Sequence, residues 1–420
     1  MKKERIQLFI RDGQFPFIPP FTEASSWLNT TLDLTKIFKQ VENNTELSLY
    51  KIDRKTIKSG SIDGFTQKTA DKIEYNLHLL RDHYQFDLSN PYNINFNTVK
   101  PGSNGIIWLV SLDNIFRGLR IHHPVLTTYN TIKYLNHRRR VENVLFYLIH
   151  KIIRKNTAIE KRDLLIKLIK ETYNSHTQLE RSNIDNYASV LSEIIIDRKI
   201  HSNEKYAVFL KHNISLKVDF YYSLLVHFMK DILEIRCLLR LPTKIEEQLI
   251  DQGCLGKLYP ERVGMEILMP THKLFSFFRS AYTTNSIPLS YKNMSKHINN
   301  PNPSRSRISN THPTQEASEI INATKLKQLK SWRSGVTPEN DHLAEFLESL
   351  SGEKYSAFLP FFLCRITSMW NKFYIQEAAS LKNEIKKHKN LEKYLDEEWL
   401  LSTFATYTKY WQKNAQAKTA

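Results

Sequence analysis

Glycine is scarce in this chain of 420 residues, which contains 11 glycines where an average composition of about 7% would give roughly 29. Folds that need glycine for positive φ angles or for close backbone approach to a phosphate are therefore disfavoured, doubly wound nucleotide-binding sheets among them. Apolar residues instead recur at helical spacing, as at Val141, Val144, Leu145 and Leu148. The sequence predicts an all-α, multi-helical protein.

Cysteine is also rare, and the common catalytic and metal-binding signatures are missing. Cys237, Cys254 and Cys364 are widely spaced and form no CxxC pair, which predicts small buried thiols in a reducing compartment. The chain has no HExxH, GxSxG or GxxxxGK[ST] motif. We therefore expect no metal and no cofactor, and no catalytic residue is assigned on these motifs.

Long apolar runs are missing as well. The best candidate, from Val218 to Leu241, includes six charged residues, each of which costs about 3 kcal/mol at the centre of a membrane. Near the N-terminus, Arg11 and Asp12 interrupt the apolar run that a signal peptide would need. These features predict a core helix at 218–241 and a cytoplasmic protein with no membrane partner.

Positive charge is abundant. The formal net charge is +17, and nucleic acid is the commonest polyanion that neutralises such an excess, although an evenly basic, merely solvated surface is the alternative. No acid occurs between Glu266 and Glu316, where the average composition would place about five. Arg305 and Arg307 in this stretch are candidates for an arm that follows phosphates, and a flexible linker is the alternative.

Two stretches rich in Asn, Pro, Gly or Ser divide the chain. They predict the following order: an N-terminal unit at 1–90, a connector at 91–105, a central helical domain at 106–282, a basic acid-free linker at 283–313, and a C-terminal unit at 314–420. The central domain could also provide contacts to protein partners.

A helix-turn-helix pattern occurs at 45–80. Tyr50 would pack a first helix, Asp53 would cap the second, and Ile57 would anchor the second helix in the core. This segment resembles the DNA-binding unit of Cro/XRE-type repressors. The resemblance implies that three side chains reach the major groove: Arg54, Lys55 and Lys58.

A second segment, 314–350, resembles the same family. Asn322 would form the turn, Thr324 would cap the next helix, Gly335 would end that helix, and Pro338 would precede a third. The resemblance implies DNA contacts from the exposed side of the second helix, by Lys325, Lys327, Gln328, Lys330 and Arg333.

Three consecutive arginines, Arg138, Arg139 and Arg140, stand at what we expect to be the start of a helix. Cations there oppose the helix dipole by a few tenths of a kcal/mol each, and an anionic partner would remove that cost. They are therefore candidate phosphate ligands, with a solvated surface cluster as the alternative.

The leading hypothesis is a protein that binds double-stranded DNA, in a regulatory, mobile-element or defence role. One alternative is an RNA-cleaving nuclease or toxin, because Arg117 and His122 have the R-x4-H spacing of HEPN-type ribonucleases, a spacing that chance also produces. Another alternative is a helical interaction subunit of a nucleoprotein assembly.

Overall fold

The computed structural model describes most of the chain after residue 128. The described residues are 17–19, 48–52, 68, 72, 75–76, 79, 108, 129–155, 157–197, 200, 202–238, 253–284, 287–299, 315–336, 338–352 and 358–410. Two compact units are present, one formed by 1–231 with 381–396 and the other by 232–380 with 397–420. These divisions differ from those expected from the sequence.

Helices make up most of the described residues, which confirms the all-α prediction. The α-helices are α1 (Tyr129–Lys155), α2 (Ala158–His176), α3 (Arg181–Asp197), α4 (Asn203–Leu238), α5 (Pro270–Ala281), α6 (Tyr291–Ser295), α7 (Gln315–Arg333), α8 (Asn340–Ser351), α9 (Phe358–Lys387) and α10 (Glu397–Ala405). Short 3-10 helices span Cys254–Lys257 and Lys389–Lys393. Among the described residues, none of the helices is long and apolar enough to cross a bilayer.

Strands occur only as two short antiparallel hairpins within the described residues. β1 (Glu261–Val263) pairs with β2 (Glu266–Leu268), and β3 (Thr283–Thr284) pairs with β4 (Ile287–Pro288). The second hairpin and α6 lie inside the stretch 283–313 that the sequence predicts to be a linker. This part of the acid-free stretch therefore has secondary structure and packs as described below.

The first unit is built on the successive helices α1, α2 and α3, in which α2 packs against both of its neighbours. Their periodic apolar residues form a common core that includes Leu145, Ile169 and Leu191. Phe17 belongs to the same core, and its ring stacks 5.9 Å from that of Tyr173. A residue of the predicted N-terminal unit thus packs inside the predicted central domain.

A carboxylate of α4 caps the start of α1. Asp231 accepts hydrogen bonds from the backbone N–H groups of Asn130 and Thr131 at 2.8 and 3.0 Å and from both of their side chains. These bonds satisfy N–H groups that have no partner inside the helix. Burial raises the pKa of Asp231, and the four hydrogen bonds oppose that shift.

The second unit has an aromatic core where α5, α7 and α8 meet. Trp332 of α7 lies 5.4 Å from Phe346 of α8, edge to face, and Phe275 of α5 lies 6.4 Å from the same ring. Leu329 and Leu343 are fully buried beside them. These contacts join α5, α7 and α8 into one core.

Cys254 and Cys364 are buried and form no disulfide within the described residues, as predicted. Burial raises the pKa of the Cys254 thiol to about 12. Such a thiol is protonated and unreactive at neutral pH.

Candidate nucleic-acid interface

Two arginines lie on one tyrosine ring in the second unit. The guanidinium carbon of Arg333, the last residue of α7, is 3.6 Å from the ring centroid of Tyr291, and that of Arg279 in α5 is 4.6 Å from it. Stacking on an aromatic ring holds the guanidinium plane in place. Nε of Arg333 is buried without a hydrogen-bond partner in the described part of the chain. We call these three residues the arginine–tyrosine cluster.

Neither arginine of the cluster is bound to a carboxylate within the described part of the chain. Arg279 donates from Nε to the carbonyl of Leu289 at 2.9 Å, and Arg333 donates from Nη2 to Nε2 of His272 at 2.8 Å. Both partners are neutral acceptors, so the charges of the two arginines are not cancelled locally. An anion is the kind of ligand that would complete this arrangement.

His272 accepts the arginine N–H, which requires Nε2 to carry no proton. Burial lowers the pKa of His272, and the charge of Arg333 lowers it further, while Glu266 acts in the opposite direction. The imidazole is therefore neutral at pH 7 and orients Arg333 without adding charge.

The end of α7 is fixed by contacts with α5 and α9. Thr271 of α5 donates its hydroxyl to the carbonyl of Arg333 at 2.9 Å, and its backbone N–H donates to the side chain of Asn371 at 3.3 Å. Gly335 follows with φ of 103°, and a Cβ there would lie 2.3 Å from Nδ2 of Asn371. The sequence-predicted glycine ending is confirmed, and it places Arg333 rigidly.

Lysines extend the positive surface along α6 and α7. Lys292 and Lys296 of α6 are exposed, and Nζ of Lys325 lies 3.3 Å from the carbonyl of Lys296. Residues 325 and 333 are separated by about 12 Å along the helix axis. That length of duplex carries about seven phosphate charges, so the surface is long enough to meet several of them.

Lys273, in contrast, does not contribute a free charge. Its Nζ binds Oε2 of Glu261 at 2.7 Å, lies 3.3 Å from the carbonyl of Tyr259, and is 4.1 Å from the Tyr259 ring centroid. The acid-free stretch in the sequence is thus neutralised at this position by an acid from the preceding hairpin.

The helix-turn-helix geometry expected at 314–350 is not observed. Gln315–Arg333 forms one continuous helix, within which the hydroxyl of Thr324 donates to the carbonyl of Ile320 at 2.9 Å. The turn predicted at Asn322 and the cap predicted at Thr324 are therefore wrong. A polar residue that follows an apolar helical turn can either cap a new helix or lie in the middle of a long one, and the sequence pattern is the same in both cases.

The five predicted DNA contacts of this segment fall into two groups. Lys327 and Lys330 are exposed, as expected. Lys325, Gln328 and Arg333 are half-buried, because the continuous helix turns them toward the edge of the core. The amide oxygen of Gln328 is buried without a hydrogen-bond partner in the described part of the chain.

Arg138 and Arg139 are buried, which corrects the prediction that they form a surface phosphate site. α1 begins at Tyr129, so the three arginines lie within the helix rather than at its start. Arg138 binds Asp219 at 2.8 Å, and both side chains are at most 1% exposed. Arg140 is exposed, and only this member of the group can meet an external anion without rearrangement.

Arg138 also contacts the backbone and an aromatic ring. Its Nη1 donates to the carbonyl of His176 at 2.6 Å, and its guanidinium carbon is 3.7 Å from the Phe17 ring centroid. Asp219 in turn accepts from the N–H of Gln178 at 2.8 Å. Arg139 is 1% exposed, and burial lowers its pKa to about 10.

Residues 48–52, at the start of the first helix-turn-helix match, are not helical. Tyr50 is half exposed, and its backbone N–H and carbonyl pair with the side chain of Asn76 at 2.7 and 2.9 Å. The expectation that Tyr50 packs a first helix is therefore wrong.

Several predicted site residues lie outside the described residues. They are Arg54, Lys55, Lys58, Arg117, His122, Arg305 and Arg307. Their proposed roles stay predictions.

No family model, no curated protein and no solved structure matches this chain.

Sequence reasoning did not assign Tyr291 to a site. Its signal is weak but present: Ser290 caps α6 by accepting from the N–H of Asn293 at 3.1 Å, which sets the tyrosine at the first helical position. A capping serine followed by an aromatic residue inside an acid-free stretch could have marked this position. The convergence of Arg279 and Arg333 on it depends on tertiary packing.

Proposed function

We propose that this protein binds nucleic acid through phosphate contacts made by the second unit. The observation that carries the proposal is the arginine–tyrosine cluster, in which two arginines are oriented by one ring and by neutral acceptors. Phosphate oxygens are anionic acceptors, and two of them can bind the guanidinium N–H groups side by side. Lys292, Lys296 and Lys325 supply further charge along the same pair of helices.

The proposal does not require a helix-turn-helix. Sequence-independent phosphate contacts account for most nonspecific affinity, and they need only a basic surface of adequate length. Duplex DNA is the expected polymer, as the sequence predicts, and the setting is cytoplasmic, where unpaired thiols such as those of Cys254 and Cys364 persist.

A salt series on the full chain tests the proposal. Fluorescence anisotropy with a labelled duplex DNA of about 20 base pairs should show affinity that falls steeply between about 50 and 200 mM salt. The double variant Arg279→Gln and Arg333→Gln should lower the slope of log affinity against log salt by about 2, since each lost phosphate contact removes about 0.9.

The matched control is the double variant Lys382→Gln and Lys386→Gln, which removes the same charge from exposed positions of the first unit. It should leave the slope unchanged to within about 0.5. Absence of binding to duplex DNA and to single-stranded RNA at low salt would refute the proposal. Equal losses in both double variants would show that net charge alone, rather than the cluster, determines binding.

A further inference from the structure

A cleft runs between α1 and α2 in the first unit, separate from the arginine–tyrosine cluster. It has a volume of about 220 Å³. The cleft is lined by residues of both helices: His137, Arg140, Val141, Val144, Leu145, Leu148, Leu168, Thr172 and His176. No carboxylate is present in this lining.

One end of the cleft is polar and basic. Nε2 of His137 lies 3.3 Å from Nδ1 of His176, so one imidazole donates to the other. Arg140 is exposed one helical turn from His137, and it forms no ion pair within the described part of the chain. Three nitrogen-bearing side chains therefore meet with no acid among them.

The rest of the cleft is apolar. Val141, Val144 and Leu148 of α1 face Leu168 of α2 across it, and Val144 is 57% exposed although it belongs to the apolar stripe of its helix. A cavity of about 150 Å³ in a protein core accommodates benzene. The cleft is large enough for an apolar group of at least that size.

Positive charge surrounds the two histidines. Burial lowers the pKa of both, and Arg138 lowers each further, with Arg140 acting on His137 and His137 acting on His176. From α4, the partly buried His227 faces the same group, and its own pKa is lowered by burial and by Lys230 and His137. Arg138 is itself paired with Asp219 of α4, so the positive charge at the histidines that has no acid partner in the described part of the chain comes from Arg140, and it favours an anion over a metal cation.

We propose that this cleft binds an amphipathic organic anion, with a phosphate or carboxylate head at Arg140 and the histidine pair and an apolar body beside Val144. Clefts of this kind bind ligands through an apolar lining and a few placed polar groups. The inference does not depend on nucleic-acid binding, because none of its residues belongs to the arginine–tyrosine cluster.

Binding should be linked to proton uptake. A bound anion stabilises the protonated imidazole, so the anion binds more tightly to the protein whose histidines are protonated. Since burial and the charge of Arg138 lower the pKa of both histidines in the free protein, affinity should rise as the pH falls.

Titration calorimetry on the full chain tests the proposal with phenyl phosphate, inorganic phosphate and phenol. Phenyl phosphate should bind at least about tenfold more tightly than either half-molecule. Benzoate, which stays ionised over this range, should bind more tightly at pH 6 than at pH 8. Val144→Glu, which places a carboxylate at an exposed position of the cleft wall, should weaken binding at least about tenfold.

Controls on the same two helices keep the test specific. Ile159→Glu changes a residue that is 79% exposed and outside the cleft, and it should leave binding unchanged. His137→Gln should weaken binding and remove part of its pH dependence, whereas His150→Gln, also on α1 and exposed, should do neither. Comparison of phenyl phosphate with benzoate then distinguishes the two head groups.

Three results would overturn the proposal. One is a failure of phenyl phosphate to bind, and another is equal binding of phenol, which would make the cleft a plain apolar crevice. The third is binding of Zn²⁺ by the histidine pair without any binding of the anion, since 3.3 Å also suits two ligands of a tetrahedral ion.

Discussion

Two arginines with the same chemistry have opposite surroundings in the two units. Arg138 is buried in the first unit and bound to Asp219, the carbonyl of His176 and the Phe17 ring. Arg333 lies at the edge of the second unit, stacked on Tyr291 and bound to a neutral histidine. The charge of Arg138 is paired inside its unit, whereas the charge of Arg333 has no carboxylate partner in the described part of the chain.

The difference depends on the acid that each arginine meets. Asp219 is 81 residues from Arg138 in the sequence, and no local pattern connects them. A buried ion pair contributes to specificity of packing more than to net stability, but the loss of one partner leaves the other charge without compensation. A basic cluster in a sequence therefore predicts a binding site only when no acid from elsewhere in the chain pairs with it.

The largest expected effect is that of Arg138→Met. This change leaves the carboxylate of Asp219 buried beside an apolar side chain, and it should lower the free energy of unfolding by about 3 to 5 kcal/mol. Urea denaturation followed by circular dichroism measures the loss.

Arg333→Met is the matched variant in the second unit. Because Arg333 has no carboxylate partner in the described part of the chain, its removal should cost less than about 1 kcal/mol. The ranking should invert for duplex DNA, which the Arg333 variant binds more weakly and the folded Arg138 variant binds normally. Equal costs of unfolding would contradict the contrast between the two arginines.

A second expected effect concerns buried His212 in the first unit. Its Nε2 lies 2.8 Å from the hydroxyl of Tyr173, and burial lowers its pKa to about 4, against the smaller opposing effect of a hydrogen bond to Asn213. The folded state disfavours protonation of His212. The contribution of the neutral imidazole to the free energy of unfolding is therefore complete above about pH 6.5 and is lost as the pH falls toward 4. The loss should amount to about 3 kcal/mol.

Urea midpoints measured from pH 7 to pH 4 test this expectation. His212→Gln should flatten the profile over that range. His272→Gln in the second unit should change it less, because His272 is only partly buried. An unchanged slope in the His212 variant would assign the acid sensitivity to other groups.

The smallest of the three effects compares two glycines of the second unit. Gly335 has φ of 103°, and an added Cβ would lie 2.3 Å from the Asn371 side chain, whereas Gly352 has φ of 73° and open space around it. Gly335→Ala should cost about 2 to 3 kcal/mol and Gly352→Ala about 1 kcal/mol.

Binding provides a second readout for this pair. Arg333 lies two residues before Gly335, so a displacement of the chain at Gly335 also moves Arg333. Gly335→Ala should therefore weaken binding to DNA, whereas Gly352→Ala should not. Thermal unfolding and anisotropy measure the two effects separately. Weaker binding in the Gly352 variant alone would show that the end of α7 does not set the position of the cluster.

Helical periodicity was enough to predict the fold class and much of the core. Leu145, Ile149 and Leu329 are buried where an apolar residue recurs every third or fourth position. Gly335 ends its helix as expected because a positive φ favours glycine through a purely local constraint.

The candidate site could be predicted only in part. The sequence points to Arg333 as one of five residues of a single segment, but the ring on which it stacks comes from α6 and the second arginine from α5. The polar residue Asn322 predicts a turn because its side chain competes with backbone hydrogen bonds, yet α7 continues through this position without a break. The buried residues of α7, Leu329 and Trp332, lie farther along the helix and leave no signal at Asn322.

The cap of α1 has a consequence for the order of folding. Asp231 is about 100 residues from the N–H groups that it binds, so the first turn of α1 lacks these partners until α4 has docked. The chain loses the entropy of closing this long loop before the contacts form, and contacts between distant residues slow the folding of a domain. The ends of α1 should therefore mature at different times, with the part near Ile149 packing early against its sequence neighbours and the part near Thr131 late.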